Sequence, residues 1–99
     1  MSYVCILEIQ LHFPDKGSLK GKRKELSSLK AQLQRRFGAA VAETGHHDLW
    51  QRSELTAALV GTGITDLGNR AAALERYVLS TFPDGASVER LMVSREDLL

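Results

Sequence analysis

Cysteine, proline and tryptophan are scarce in this chain, which has one cysteine, two prolines and one tryptophan among 99 residues. The single cysteine, Cys5, excludes an internal disulfide framework and a cysteine-rich zinc site. No apolar run approaches the ~20 residues that cross a bilayer, and the N-terminus lacks the basic and apolar pattern of a secretory signal. These absences lead us to expect a cytoplasmic protein that does not contact membranes.

The remaining composition is that of an ordinary globular protein. Hydrophobic residues make up 43% of the chain and charged residues 25%, which is enough apolar surface to form a core. A single hydrophobic core serves chains of roughly 50–200 residues. We therefore expect one domain over residues 1–99.

Basic residues are concentrated in one stretch although the net charge is only +1. Residues 16–36 hold eight of the thirteen lysines and arginines against one acid, Glu25. The small net charge argues against a general nucleic-acid binder, but a local positive face still attracts phosphate.

Hydrophobic periodicity predicts six elements. Alternation with a period of two indicates strands, and apolar residues three or four apart indicate helices. The long first helix has Ser18 as its N-cap and Gly38 as its C-cap, and Thr65 or Asp66 caps the second helix. The predicted elements are strand 3–13, helix 18–37, strand 39–44, strand 53–62, a second helix that ends at 82–85, and strand 87–94. This βαββαβ order predicts an α+β, ferredoxin-like fold, with a four-stranded antiparallel sheet of order 4-1-3-2 and two helices on one face.

The predicted topology brings two separate segments to one end of the sheet, because strands 1 and 2 run parallel and finish there. One segment is the start of helix 1, and the other is residues 46–52. Helix N-termini and neighbouring cations attract anions. We predict phosphate or RNA contacts from Ser18, Lys20, Lys22, Arg23 and Arg52. The alternative is that the lysines simply form a solvated helix face.

The same end of the sheet holds residues that could line a pocket, namely Glu43, His47, Asp48, Trp50 and Gln51. Glu43 is either a pocket carboxylate or an ion-pair partner of Arg23 or Arg52. Trp50 either stacks on a base or packs at the end of the core.

Histidines at 46 and 47, together with Asp48, raise the question of a metal site or of acid–base chemistry. Only His12 could add a third nitrogen ligand, and zinc catalysis requires three well-held ligands. We expect exposed loop histidines or a His–Asp hydrogen bond, with no metal, no cofactor and no catalytic residue. Cys5 belongs to the buried set of strand 1, so we expect it in the core.

Four sequence blocks carry a family resemblance: Leu7-Glu8-Ile9, Ser18-Leu19-Lys20-x-Lys22-Arg23, Ala42-Glu43 and His47-x-x-Trp50-Gln51-Arg52. With them, the chain resembles the YlxP-like family of small bacterial proteins of unknown function over nearly its whole length. The resemblance implies a ferredoxin-like fold. Because members are often encoded near translation-initiation and ribosome-maturation factors, it also points to RNA or the ribosome. It supplies no catalytic residues.

The residues on the sheet face that the helices leave open indicate whether that face binds RNA or is covered by another protein chain. Its two central strands carry the carboxylates of Glu8 and Glu54 and no aromatic residue, so RNA recognition by base stacking on this face is disfavoured. Part of the face is apolar, with Val4, Ile6, Ala58, Val60 and Met92. We expect a second copy of the chain to cover it in a homodimer.

These observations support a non-enzymatic accessory protein that docks on RNA or a ribosomal assembly through the basic start of helix 1. One alternative is an enzyme or sensor that binds a small anionic metabolite at the same place, with Glu43, His47 and Asp48 as acid–base candidates. Another is a protein–protein adaptor that acts through the sheet face.

Overall fold

The structure, a computed structural model, describes residues 1–13 and 18–98. Lys16, the first residue of the basic stretch, lies outside the described residues. The elements in chain order are β1 (Tyr3–His12), α1 (Leu19–Phe37), β2 (Ala40–Gly45), β3 (Arg52–Gly61), α2 (Ile64–Thr81), β4 (Ala86–Ser94) and a short 3-10 helix (Arg95–Leu98). None of the helices in these ranges is both long and apolar enough to span a membrane.

The four strands form one antiparallel sheet in the order β2-β3-β1-β4. This is the predicted order, so the predicted ferredoxin-like fold is confirmed. The apolar strand β1 is central, and both helices pack on the same face of the sheet. The other face, which we call the open face, carries the alternate residues of each strand.

Helix α1 begins and ends where its capping residues predict. The Ser18 hydroxyl accepts a hydrogen bond from the Gly21 N–H at 3.1 Å, and Gly38 adopts the left-handed conformation at φ 66° that ends many helices. The predicted cap of α2 at Thr65 or Asp66 is wrong. This helix begins at Ile64 with Gly63 as its N-cap, because β3 runs to Gly61 and leaves only two residues for the connection.

The core lies between the sheet and the two helices. Its β1 layer includes Cys5, as predicted, and burial raises the pKa of the Cys5 thiol, a shift that the nearby Arg90 opposes. A buried thiol of raised pKa is a poor nucleophile at neutral pH. The core residues are Cys5, Leu7, Ile9, Leu11, Phe13, Leu26, Leu29, Leu33, Ala39, Leu55, Ala57, Leu59, Leu67, Ala71, Leu74 and Val78.

The position of Met92 on β4 differs from the one predicted for it on the open face. Met92 pairs with the buried Cys5 and packs against the core, so it does not lie on the open face. Leu91 pairs with Ile6 instead and is 60% exposed there. Cross-strand partners share a face, so the position of β1 decides which side of β4 is buried.

Candidate functional site

The end of the sheet where β1 and β2 finish, together with the start of α1 and residues 46–51, forms a surface that we call the rim. The structure brings these segments together as the topology predicts. The Lys22 ammonium donates hydrogen bonds to the carbonyls of His46 at 2.6 Å and Leu49 at 2.5 Å. Arg23 donates a longer one, at 3.5 Å, to the carbonyl of His47. Helix α1 therefore holds the 46–49 loop directly.

Lys22 is an interior residue, with 1% of its side chain exposed. Besides the two carbonyls, its ammonium lies 3.7 Å from a carboxylate oxygen of Glu43. A phosphate contact from Lys22 was predicted, but an enclosed ammonium with these partners does not reach a ligand at the surface. The reason is helical spacing, since Lys22 lies on the buried stripe of α1 with Leu26, Leu29 and Leu33.

Glu43 is the carboxylate around which the helix side of the rim is organised. It lies 3.8 Å from Arg23 and 3.9 Å from His47, and it accepts a hydrogen bond from the Ser53 hydroxyl at 3.3 Å. Of the two predicted ion-pair partners, Arg23 is confirmed and Arg52 is not. With Lys22 also beside it, Glu43 serves to neutralise cations and is poorly placed to act as a general base.

The three histidines do not come together, and of them His47 lies 3.9 Å from Glu43. His46 and His47 are exposed in the loop, whereas His12 lies on the open face at the end of β1. Within residues 1–13 and 18–98, no group of three histidine, cysteine, aspartate or glutamate side chains could hold a metal ion. Asp48 and Gln51 are exposed and line a shallow depression with Trp50.

Trp50 is not part of the core. The residue is 38% exposed and borders that depression, a space of about 260 Å³. Most of the Trp50 surface is covered by neighbouring residues, so the alternative in which Trp50 packs at the end of the core stays a prediction. The exposed part of its indole is open to contact with a partner.

Arg52 is separated from the other predicted phosphate contacts. Because side chains alternate along β3, Arg52 points to the open face, whereas Lys20 and Arg23 lie on the helix side. It borders an open groove of about 430 Å³ at the rim. The groove is lined by Gln10, Leu11, His12, Arg52, Pro83, Asp84, Gly85, Ala86 and Ser87.

The exposed side of α1 carries cations and no carboxylate. We call the exposed residues Lys20, Arg23, Lys24 and Arg35 the basic face. The one acid of the helix, Glu25, is half-buried on the flank that turns toward Tyr77 and Phe82 of the α2 side. The sequence predicts Ser18, Lys20 and Arg23 as site residues and does not predict Lys24 and Arg35. Helical spacing is the sequence signal that would have found Lys24, since Lys24 follows Lys20 by one turn and both lie opposite the leucine stripe.

Polar residues in the middle of the open face form two hydrogen-bonded groups that touch at Thr44 and Thr56. Glu54 accepts hydrogen bonds from the Gln10 amide at 2.7 Å and the Thr44 hydroxyl at 2.8 Å. Thr44 also contacts Thr56, which donates to Glu8 at 3.0 Å. The hydrogen bonds from Gln10 and then Thr44 lower the pKa of Glu54.

Replacing Gln10 with alanine is expected to raise the pKa of Glu54 toward its ordinary value, because the largest cause of its depression is removed. A depressed folded-state pKa stabilises the protein above the unfolded-state pKa, and this contribution is lost as pH falls through the folded-state value. Carboxyl-detected NMR titration measures the shift, with Gln51→Ala in the exposed loop as control. An unchanged Glu54 titration in Gln10→Ala would contradict the hydrogen bond.

Comparisons with known proteins agree with this fold. The model of the family described as "Protein of unknown function (DUF503)" matches residues 4–90, which confirms the resemblance to YlxP-like proteins. No curated protein matches the chain. Among solved structures, the de novo designed protein Foldit4 is similar with a TM-score of 0.64 at 10% identity, over 96% of this chain and 99% of that one.

A second similar structure is a mutant form of SnoaB, a cofactor-independent oxygenase from Streptomyces nogalater. Its TM-score is 0.52 at 15% identity, over 93% of this chain and 91% of that one. Identities this low show a shared fold alone, and a fold of this kind hosts many unrelated functions.

Proposed function

We propose that this chain, which belongs to the DUF503 family, is a non-enzymatic accessory protein that docks on structured RNA of a ribosomal assembly through the basic face of α1. The observation that carries the proposal is the composition of that face, where Lys20, Arg23, Lys24 and Arg35 are exposed with no carboxylate of α1 between them, and where, among the described residues, only Arg23 pairs with a carboxylate, that of Glu43. A positive strip on a protein with a net charge of +1 is directional, since it attracts phosphate from one side only.

The shape of the basic face suits a phosphate backbone. Helix α1 has 19 residues, so it extends for about 28 Å at the usual rise per residue. Ser18 caps it and no acid occupies its first turn, so the positive end of the helix dipole adds to Lys20 and Arg23. Contacts of this kind give affinity and orientation without reading sequence.

Lys22 supports the basic face from beneath. Its ammonium holds the carbonyls of His46 and Leu49, which keeps the 46–51 loop beside the first turn of α1. Trp50 is partly exposed in that loop. An aromatic side chain next to a cationic strip is a common arrangement for stacking on an unpaired base.

The open face is a poor alternative surface for RNA. The residues of the described sheet that point there include no aromatic side chain, and Glu8, Glu54 and Glu89 place three carboxylates in its middle. Carboxylates repel phosphate, and single-stranded RNA on sheets of this topology is held by stacking on aromatic residues.

Co-sedimentation with purified ribosomal subunits tests the proposal. We expect wild-type protein to pellet with subunits at low salt and Lys20→Ala/Lys24→Ala to remain in the supernatant, because two phosphate contacts are lost. The control variant Arg76→Ala/Arg95→Ala removes the same charge from exposed positions away from α1 and should pellet like wild type. Equal pelleting of the two double variants, or none by wild type, would contradict the proposal.

A second candidate function is the binding of a small oxyanion in the groove beside β1 and β3. His12 and Arg52 are direct cross-strand partners on the open face, an arrangement that is unfavourable when both carry charge. Neither side chain forms an ion pair within the described residues, although Asp84 also lines the groove. An anion between the two basic side chains would offset their repulsion.

Titration with inorganic phosphate tests this second candidate. We expect saturable shifts in the amide signals of residues 10–12 and 84–87, and we expect Arg52→Gln to abolish them because the bidentate donor is lost. Arg76→Gln, which alters an exposed arginine of α2, should bind like wild type. Shifts that do not saturate, or that persist in Arg52→Gln, would rule the site out.

A further inference from the structure

The groove beside β1 and β3 is larger than the oxyanion that its two basic side chains would hold. Its volume of about 430 Å³ corresponds to about fourteen water molecules at the ~30 Å³ that each occupies in the liquid. A lone phosphate fills only part of that space, whereas pockets of about 300–1,000 Å³ are typical of small organic ligands. An anion between His12 and Arg52 therefore leaves most of the groove to another part of the same ligand.

The two sides of the groove differ in charge. Arg52 lies on β3 and is the cross-strand partner of His12 on β1. The opposite wall is the start of β4, where Asp84 precedes the strand and Ser87 is its second residue. Because neighbouring strands lie ~4.8 Å apart, Arg52 and the β4 wall are separated by about 10 Å. The groove thus has a cationic side and, across β1, a side with a carboxylate and a hydroxyl.

The polar side chains on both sides have no partner among the described residues. Within residues 1–13 and 18–98, neither Arg52, Asp84 nor Ser87 forms a side-chain hydrogen bond or an ion pair. By contrast, Gln10, which also lines the groove, donates to Glu54. The groups that would contact a ligand on the two sides are therefore available to it.

The wall of the groove at β4 is held in place by backbone contacts. The Gly85 carbonyl accepts a hydrogen bond from the His12 N–H at 2.7 Å, and the Gly85 N–H donates to the carbonyl of Phe82 at 3.3 Å. The ring of Pro83 restricts φ in the same turn. A wall that is already ordered reduces the entropy cost of binding a ligand.

We propose that the groove binds a small sugar phosphate, with the phosphate between Arg52 and His12 and the sugar hydroxyls toward Asp84 and Ser87. The inference rests on the second candidate function, because it requires the oxyanion position between the two basic side chains. A carboxylate accepts hydrogen bonds from neutral hydroxyls and repels a second anionic group. Asp84 therefore favours a ligand with one phosphate over a diphosphate.

The residues that line the groove favour a sugar over a nucleotide. Among the described residues that line it, none is phenylalanine, tyrosine or tryptophan. A base would thus find no aromatic ring of this kind to stack on, although such stacking is the usual way to hold one. Hydroxyl groups, in contrast, match the polar side chains on the β4 wall.

Titration of the full chain with three probes, followed by amide NMR, tests the proposal. The probes are inorganic phosphate, ribose phosphate with the monoester on its terminal carbon, and AMP, which adds a base to the same phosphorylated sugar. We expect ribose phosphate to shift the signals of residues 10–12 and 84–87 and to bind at least about tenfold more tightly than inorganic phosphate, because it adds hydrogen bonds to a carboxylate and a hydroxyl. AMP should bind no more tightly than ribose phosphate.

Substitutions on the β4 wall test which residues hold the sugar. Asp84→Ala should abolish the tenfold preference for ribose phosphate while inorganic phosphate still binds. The control Asp66→Ala removes an exposed carboxylate from the first turn of α2 and should keep the preference. Ser87→Ala, which lies outside the turn, should also reduce the preference and serves as the second variant if circular dichroism shows that Asp84→Ala does not fold.

The outcomes separate this inference from the function on which it rests. Saturable binding of inorganic phosphate with no preference for ribose phosphate would overturn the sugar site alone. A preference that survives in both Asp84→Ala and Ser87→Ala, or tighter binding of AMP than of ribose phosphate, would do the same. The absence of a saturable shift with all three probes would overturn the oxyanion site as well.

Discussion

Replacing Lys22 with methionine is expected to lower the free energy of unfolding by about 1–3 kcal/mol, the usual cost of leaving buried hydrogen-bond acceptors without their donor. Methionine fills a similar volume, so packing against Leu26 is retained. What is lost is the ammonium that joins Glu43 to the carbonyls of His46 and Leu49. Urea denaturation measures the change.

Lys20→Met is the matched control for Lys22→Met, because it makes the same substitution at an exposed position of the same helix. Surface substitutions of this kind usually stay within about 0.5 kcal/mol of wild type. Hydrogen exchange should accelerate in residues 46–51 of Lys22→Met alone. Equal stability of the two variants would mean that the Lys22 ammonium is hydrated and does not hold the loop.

Two glycine-to-alanine substitutions are expected to change stability in opposite directions. A Cβ at Gly85 would lie 2.7 Å from the His12 carbonyl oxygen and 3.0 Å from its Cβ, and backbone atoms cannot move aside cheaply. The Gly85 carbonyl also accepts a hydrogen bond from the His12 N–H, which ties the start of β4 to the end of β1. We expect Gly85→Ala to destabilise the protein by about 1–3 kcal/mol through overpacking.

Gly68 provides the comparison for Gly85, because a Cβ there would have no atom within 4 Å and the residue lies inside α2. Alanine is better than glycine in a helix interior by roughly 0.5–1 kcal/mol. Gly68→Ala should therefore raise the thermal midpoint, while Gly85→Ala lowers it. A Gly85→Ala protein as stable as wild type would contradict the close approach of β4 to β1.

The fold was predictable because each element of the chain has one clear period. Strand β1 alternates over ten residues and α1 has a regular leucine stripe between a serine cap and a glycine cap, so the order of elements fixed one topology. The start of α2 was less predictable. Glycine at 63 gives no side-chain capping signal, whereas Thr65 and Asp66 are residues typical of an N-cap.

The sequence predicts where the candidate site lies, but it does not predict which of its residues are buried or on which face of the sheet each one lies. Topology alone joins the start of α1 to residues 46–52. Residue type predicts a surface position for Lys22, because a lysine is rarely buried, although its spacing from Leu26 and Leu29 indicates the core side. Arg52 and Lys20 are predicted together because the topology places both at the rim. The alternation of side chains along β3, however, places Arg52 on the opposite face of the sheet.

The open face shows why a period of two does not decide which side of a strand is buried. Strand β4 has apolar residues on both faces, with Val88 and Met92 on one and Leu91 and Val93 on the other. Their assignment depends on the register with β1, where Met92 pairs with Cys5. That register is a long-range property, and the sequence of β4 alone does not contain it.

Binding of a fluorescent RNA hairpin across a salt series tests the central claim most directly. If the basic face makes three or four phosphate contacts, the plot of log affinity against log salt should have a slope of roughly −3 to −4, and Lys20→Ala/Lys24→Ala should reduce its magnitude by about 2. The Arg76→Ala/Arg95→Ala control should keep the wild-type slope. A slope near zero, or one that Lys20→Ala/Lys24→Ala leaves unchanged, would contradict docking through α1.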